Sequence, residues 1–139
     1  MIYSKMLDEA VGRLLDYDRR RYWLVNGWSI RCRVAEVSAN VGRPHGIKYA
    51  FTLHDLDGMR LMGFDNAHGV PHAQHYDHRH RFRRPAELVA YEFRGADALI
   101  CDFFDAVEQV CKLEGVAFEF VAEEIELEME DDHDTQIFD

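Results

Sequence analysis

Residues 64–84, FDNAHGVPHAQHYDHRHRFRR, hold five of the chain's eight histidines: His68, His72, His75, His78 and His80. They also hold Arg79, Arg81, Arg83 and Arg84, and almost no aliphatic residue. Such a stretch cannot fill a core, and its side chains suit proton transfer and anion binding. Histidine titrates near neutrality and serves as acid or base. Arginine grips a phosphate through two parallel N–H bonds. Metal-free RNA cleavage needs a base for the 2′-hydroxyl proton, an acid for the leaving oxygen, and cations for the charged transition state. His78 and His80 are two apart, so on a strand they project to one side, with Arg79 and Arg81 on the other.

The same residues admit two further readings. His-x-His on a strand chelates metal, and Asp77, His72 or His75 would complete the set, although no spacing here matches a known zinc pattern. Alternatively the stretch is a solvated polar loop whose histidines make ordinary hydrogen bonds. Asp65 and Asn66 either close a turn or position the segment that follows. Arg31 and Arg33 share one face of a strand. The chain has no Gly-rich nucleotide loop, Ser-His-Asp signature or Cys-x-x-Cys pair.

The elements that present this stretch are read from periodicity. Residues 1–17 carry one apolar stripe at helical spacing, through Met6, Ala10, Val11 and Leu14. Asn26-Gly27 joins two strands, and in the second Trp28, Ile30, Cys32 and Val34 share a face. Residues 46–55 alternate again, with Ile47, Tyr49, Phe51 and Leu53 against Lys48, Ala50, Thr52 and His54. Asp57-Gly58 turns the chain into 59–65. A short strand at 88–94 precedes a strongly amphipathic helix over 96–113. Residues 116–120 read as a last strand. The expected architecture is α+β: one antiparallel meander of about five strands, with an N-terminal and a C-terminal helix packed on one face. The other face then carries Arg31, Arg33, Lys48, Thr52 and His54, which is unusually basic for a solvent face.

The net charge of −10 divides unevenly. Residues 121–139 carry nine acidic residues and no Lys or Arg, leaving 17 acidic against 16 Lys and Arg in the preceding 120, a net of −1. Residues 1–121 therefore read as a single domain that can meet a phosphate backbone, and 122–139 as an acidic extension. The extension either covers the basic face or keeps the chain solvated, solvation being the simpler account. No apolar run suits a membrane span and the start lacks a secretory pattern. Three cysteines, far apart in apolar patterns, read as reduced, buried thiols of a cytoplasmic protein.

The run IKYAFTLHDLDGMRLMGFDNAHGVPHAQHYDHRH resembles the core of the TumE family of toxins from toxin–antitoxin pairs. The family pattern, Tyr-x-Tyr/Phe-x-Leu-x-Asp, an Asp-Gly turn, Tyr/Phe-Asp-Asn-Ala-x-His, then His-Lys/Arg-His, maps onto Tyr49–Asp55, Asp57-Gly58, Phe64–His68 and His78-Arg79-His80. The resemblance spans residues 22–113. It implies a ribonuclease toxin acting on RNA, made with a cognate helix-turn-helix antitoxin. The family places a further histidine just before this last element, where this chain has Tyr76-Asp77; its role falls to Tyr76, to His75 or to nothing, and Tyr76 joins His78 and His80 as a catalytic candidate. Arg79, Arg81, Lys48, Arg31, Arg33, Asp65 and Asn66 are the candidate substrate-binding residues. No metal and no cofactor is expected in this reading. A metal-dependent hydrolase and a non-catalytic binding protein using the same surface are the alternatives.

Overall fold

Two turns with a glycine at positive φ organise the sheet. Asn26-Gly27 (Gly27 φ 93°) joins β1 (Arg20–Leu24) to β2 (Ser29–Glu36), and the Asn26 side chain accepts a hydrogen bond from the Trp28 amide at 3.1 Å. Asp57-Gly58 (Gly58 φ 82°) lies between β3 (Ile47–His54) and β4 (Arg60–Asp65), and Asp55 accepts the amides of Asp57 and Met59 at 2.9 Å each. Both are the turn chemistry that positive dihedrals require. The computed structural model describes residues 2–39, 45–66 and 77–126, side chains excepted at 2–8, 84–86 and 88.

A third hairpin, β5 (His78–Arg81) and β6 (Arg84–Ala90), extends the sheet, and β7 (Phe120–Ile125) returns to pair with β1 at the far edge. The sheet is antiparallel throughout, in the order β6-β5-β4-β3-β2-β1-β7. Among the described residues it thus has seven strands rather than about five. The two less legible strands lack an apolar alternation: β5 reads His-Arg-His-Arg, and β7 is exposed at every position. The last strand begins at Phe120, not Val116, and takes in the first acidic residues of the C-terminal segment. Tyr91 and Phe93 follow β6 rather than lie in it.

Helices α1 (Ile2–Leu15) and α2 (Ala96–Glu114) pack against each other on one face of the sheet. Leu99, Phe103, Val107, Val110 and Cys111 are buried on α2, and Gly115 ends the helix in the left-handed conformation at φ 68°. Phe103 meets Phe51 and Phe64 edge-on at 5.4 and 5.8 Å, and all three are at most 2% exposed. Truncating such a ring costs about 3–5 kcal/mol. Arg13 on α1 pairs bidentately with Asp97 on α2, but both are more than half exposed, so solvent screens the pair and packing holds the helices together. Cys32 and Cys111 are buried free thiols; Cys101 is exposed, because it sits on the solvent flank of α2. Among the described residues, no helix is long and apolar enough to cross a membrane.

Candidate functional site

The face opposite the helices is defined by two cross-strand rows. One runs Arg33, Ala50, Asp65, His78; the other runs Arg21, Arg31, Thr52, Gly63, His80. The rows follow from period-two alternation: the residues between them, Cys32, Phe51 and Phe64, point into the core. Asp65 at the end of β4 therefore lies directly opposite His78 on β5, with His80 one step along the same face.

Asp65 is the centre of this arrangement. It is 2% exposed, with His78 Nε2 2.8 Å from Oδ1 and His80 Nε2 2.9 Å from Oδ2. The two imidazole rings stand 5.0 Å apart at 66°. Arg60 donates from Nη2 to Asp65 Oδ2 at 2.7 Å. Burial alone would raise the Asp65 pKa, but contacts to His78 and His80 outweigh it and hold the carboxyl well below the usual carboxylate range. The result is an ionised carboxylate shared by two imidazoles and one guanidinium.

Arg60 is a residue that the sequence pattern conceals. Strict alternation would place it with Met62 and Phe64 in the core. The ladder shifts register here: Leu53 pairs with Met62, but His54 pairs with Arg60, leaving Leu61 as an extra residue. This bulge turns Arg60 to the opposite face. Gly63 completes the placement, since a Cβ there would come within 3.1 Å of Arg60 Nη2, 3.0 Å of Thr52 Cγ2 and 2.9 Å of the Phe51 carbonyl. The only advance signals were an unexplained arginine after the Asp-Gly turn and a glycine inside a strand.

The other predicted residues separate into groups. Arg31 lies on the same face and forms a bidentate pair with Glu126 at 2.7 Å on both contacts; Glu126 is almost fully buried. Arg33 lies beside Asp18 at 3.4 Å, and Lys48 is half-buried, two residues before Ala50 on β3. Arg79 pairs with Phe64 in the ladder and lies over its ring at 5.7 Å, on the helix side; Arg81 is exposed beside Glu87 at 3.8 Å. The structure thus brings Asp65, His78 and His80 together and sets Arg79 apart from them. Asn66 holds β3 to β4, accepting from the Tyr49 amide at 2.9 Å and donating to the Ile47 carbonyl at 2.8 Å. Tyr76, His68, His72 and His75 lie outside the described residues.

Asp77 and His54 have other duties. Asp77 faces away from its neighbour His78, accepting from the Tyr49 hydroxyl at 2.9 Å, with His45 at 3.3 Å stacked on Phe93. Asp65, not Asp77, therefore completes the His-x-His pair. His54 Nδ1 lies 3.2 Å from the Gly58 carbonyl and Nε2 2.8 Å from Thr52 Oγ1, which assigns the proton to Nδ1. Burial lowers its pKa to about 4, so it is neutral near pH 7 and the face is less basic than expected.

A family model described as Toxin TumE matches residues 16–111. No curated protein and no solved structure gives a significant match.

Proposed function

The chain belongs to the TumE toxin family and is the toxin component of a toxin–antitoxin pair; on that premise we propose that it is an endoribonuclease that cuts RNA at the Asp65–His78–His80 centre. The observation that carries the reading is one buried carboxylate holding two imidazoles through Nε2 on the face that also bears Arg60, Arg31, Arg33 and Lys48. Nε2 held by Asp65 leaves proton exchange with substrate to Nδ1 of each ring. One ring takes the 2′-hydroxyl proton as that oxygen attacks phosphorus; the other returns a proton to the departing 5′-oxygen. Arg60 and the strand cations offset the charge building on phosphorus. Asp65 and Asn66 are positioning residues. Tyr76 keeps its place as a catalytic candidate.

The neutralising partner is an antitoxin, and we take it to be a helix-turn-helix protein that covers this face. Expression with and without His78→Ala/His80→Ala tests the reading, with circular dichroism to confirm that the variant folds. Growth arrest with RNA loss from the parent, and neither from the variant, is the expected result. Equal arrest and equal RNA loss from both would overturn the assignment. Arrest without RNA loss would move it to a non-catalytic binder.

A further inference from the structure

We propose that Asp65, His78 and His80 also form a binding site for a divalent first-row transition-metal ion. Each side chain offers one ligand atom, and the three atoms lie within 4.8 Å of one another. The contacts of 2.8 and 2.9 Å between the imidazole nitrogens and the carboxylate are close to the spacing of about 3 Å between adjacent donors around an ion with bonds near 2.1 Å. Two imidazoles and one carboxylate on one side of an ion form a facial triad, with further positions left for water. The donors stand on adjacent strands in fixed register, Asp65 opposite His78 and Gly63 opposite His80, so little ordering remains to be done when an ion arrives.

A second observation points to a ligand independently. Asp65 Oδ1 is buried, with His78 Nε2 at 2.8 Å as its contact and no donor aligned on it. A buried carboxylate oxygen without an aligned donor is costly, and a metal ion satisfies it without donor geometry. Arg60 decides the kind of ion. It already neutralises Oδ2 at 2.7 Å, so a hard cation such as magnesium or calcium finds no net negative charge to hold it. Two imidazole nitrogens instead suit zinc, cobalt, nickel or ferrous iron.

An ion on both Nε2 atoms leaves each ring with its proton on Nδ1, unable to accept another. Metal loading therefore silences the acid–base pair. That consequence rests on the ribonuclease reading; the binding does not.

The test uses the full chain, stripped by chelator and titrated with Co2+ alone and then Zn2+ alone. One ion per chain is expected, with ligand-field absorption for Co2+ that Zn2+ displaces. Asp65→Asn and His80→Gln should each weaken binding by more than the roughly 10–100-fold that losing a supporting group costs. A His68/His72/His75 triple alanine variant should bind within about twofold of the parent, far less than that loss. Absence of stoichiometric binding by the parent would overturn the proposal. So would a site lost in the triple variant and kept in His80→Gln, with circular dichroism confirming that each variant folds. Both readouts are taken without RNA, so a failed nuclease assay leaves them intact.

Discussion

Gly63 on β4 and His80 on β5 are direct cross-strand partners, so His80 stands over a position with no side chain. Gly63→Ala would drive a methyl group toward Arg60 Nη2, Thr52 Cγ2 and the Phe51 carbonyl. We expect destabilisation of about 1–3 kcal/mol, the usual cost of overpacking. Displacing Arg60 should lower toxicity at least about tenfold, equivalent to 1.4 kcal/mol of transition-state stabilisation. Urea unfolding together with growth arrest checks it; full toxicity at reduced stability would show that Arg60 is dispensable.

The two faces of the sheet predict opposite outcomes for Arg79 on β5 and Arg60 on β4. Arg79→Ala, on the helix side, should leave RNA cleavage within about threefold, whereas Arg60→Ala should lower it about 100-fold or more, as removal of an electrostatic stabiliser does. Single-turnover cleavage rates of the two variants compare them directly. A large effect at Arg79 alone would place the substrate on the wrong side of the sheet for the proposed centre.

Arg31 is engaged by Glu126, the residue after β7. If RNA uses Arg31, the acid must yield it. Glu126→Gln should raise RNA affinity and steepen its salt dependence by roughly 0.7 in logarithmic slope for one added phosphate contact. Breaking one side of a buried pair costs about 3–5 kcal/mol, so the variant's fold is checked by thermal melting. In the Arg31→Gln/Glu126→Gln double variant the gain should vanish. Unchanged affinity in the single variant would leave the acidic segment a solubilising role.

His54 predicts a stability profile. Its pKa is about 4 in the folded chain and about 6.5 when unfolded, so below pH 6.5 the unfolded state binds a proton that the folded state does not. Stability is therefore full above pH 6.5 and declines as pH falls toward 4, by about 2 kcal/mol at pH 5. Asp65, held far below its ordinary pKa, adds a loss only at lower pH. Urea midpoints at pH 7.5 and 5 measure the decline, and His54→Gln should flatten it.

Periodicity and turn chemistry by themselves determined the helices, the two Gly-bearing hairpins, the core face of β2 and β3, and the pairing of His78 with His80 on one side of a strand. These are local properties, written in spacings of two, three and four residues and in the φ that glycine permits. Only the tertiary structure decided which carboxylate meets the histidines, because Asp65 reaches His78 through strand register and not through nearness in sequence. It also decided the place of Arg60, which a one-residue bulge moves from the core face to the site. The bounds of the seventh strand were decided the same way: a last strand was expected at 116–120, but it runs Phe120–Ile125, exposed at every position, and the backbone hydrogen bonds that hold it to β1 leave no trace in side-chain type.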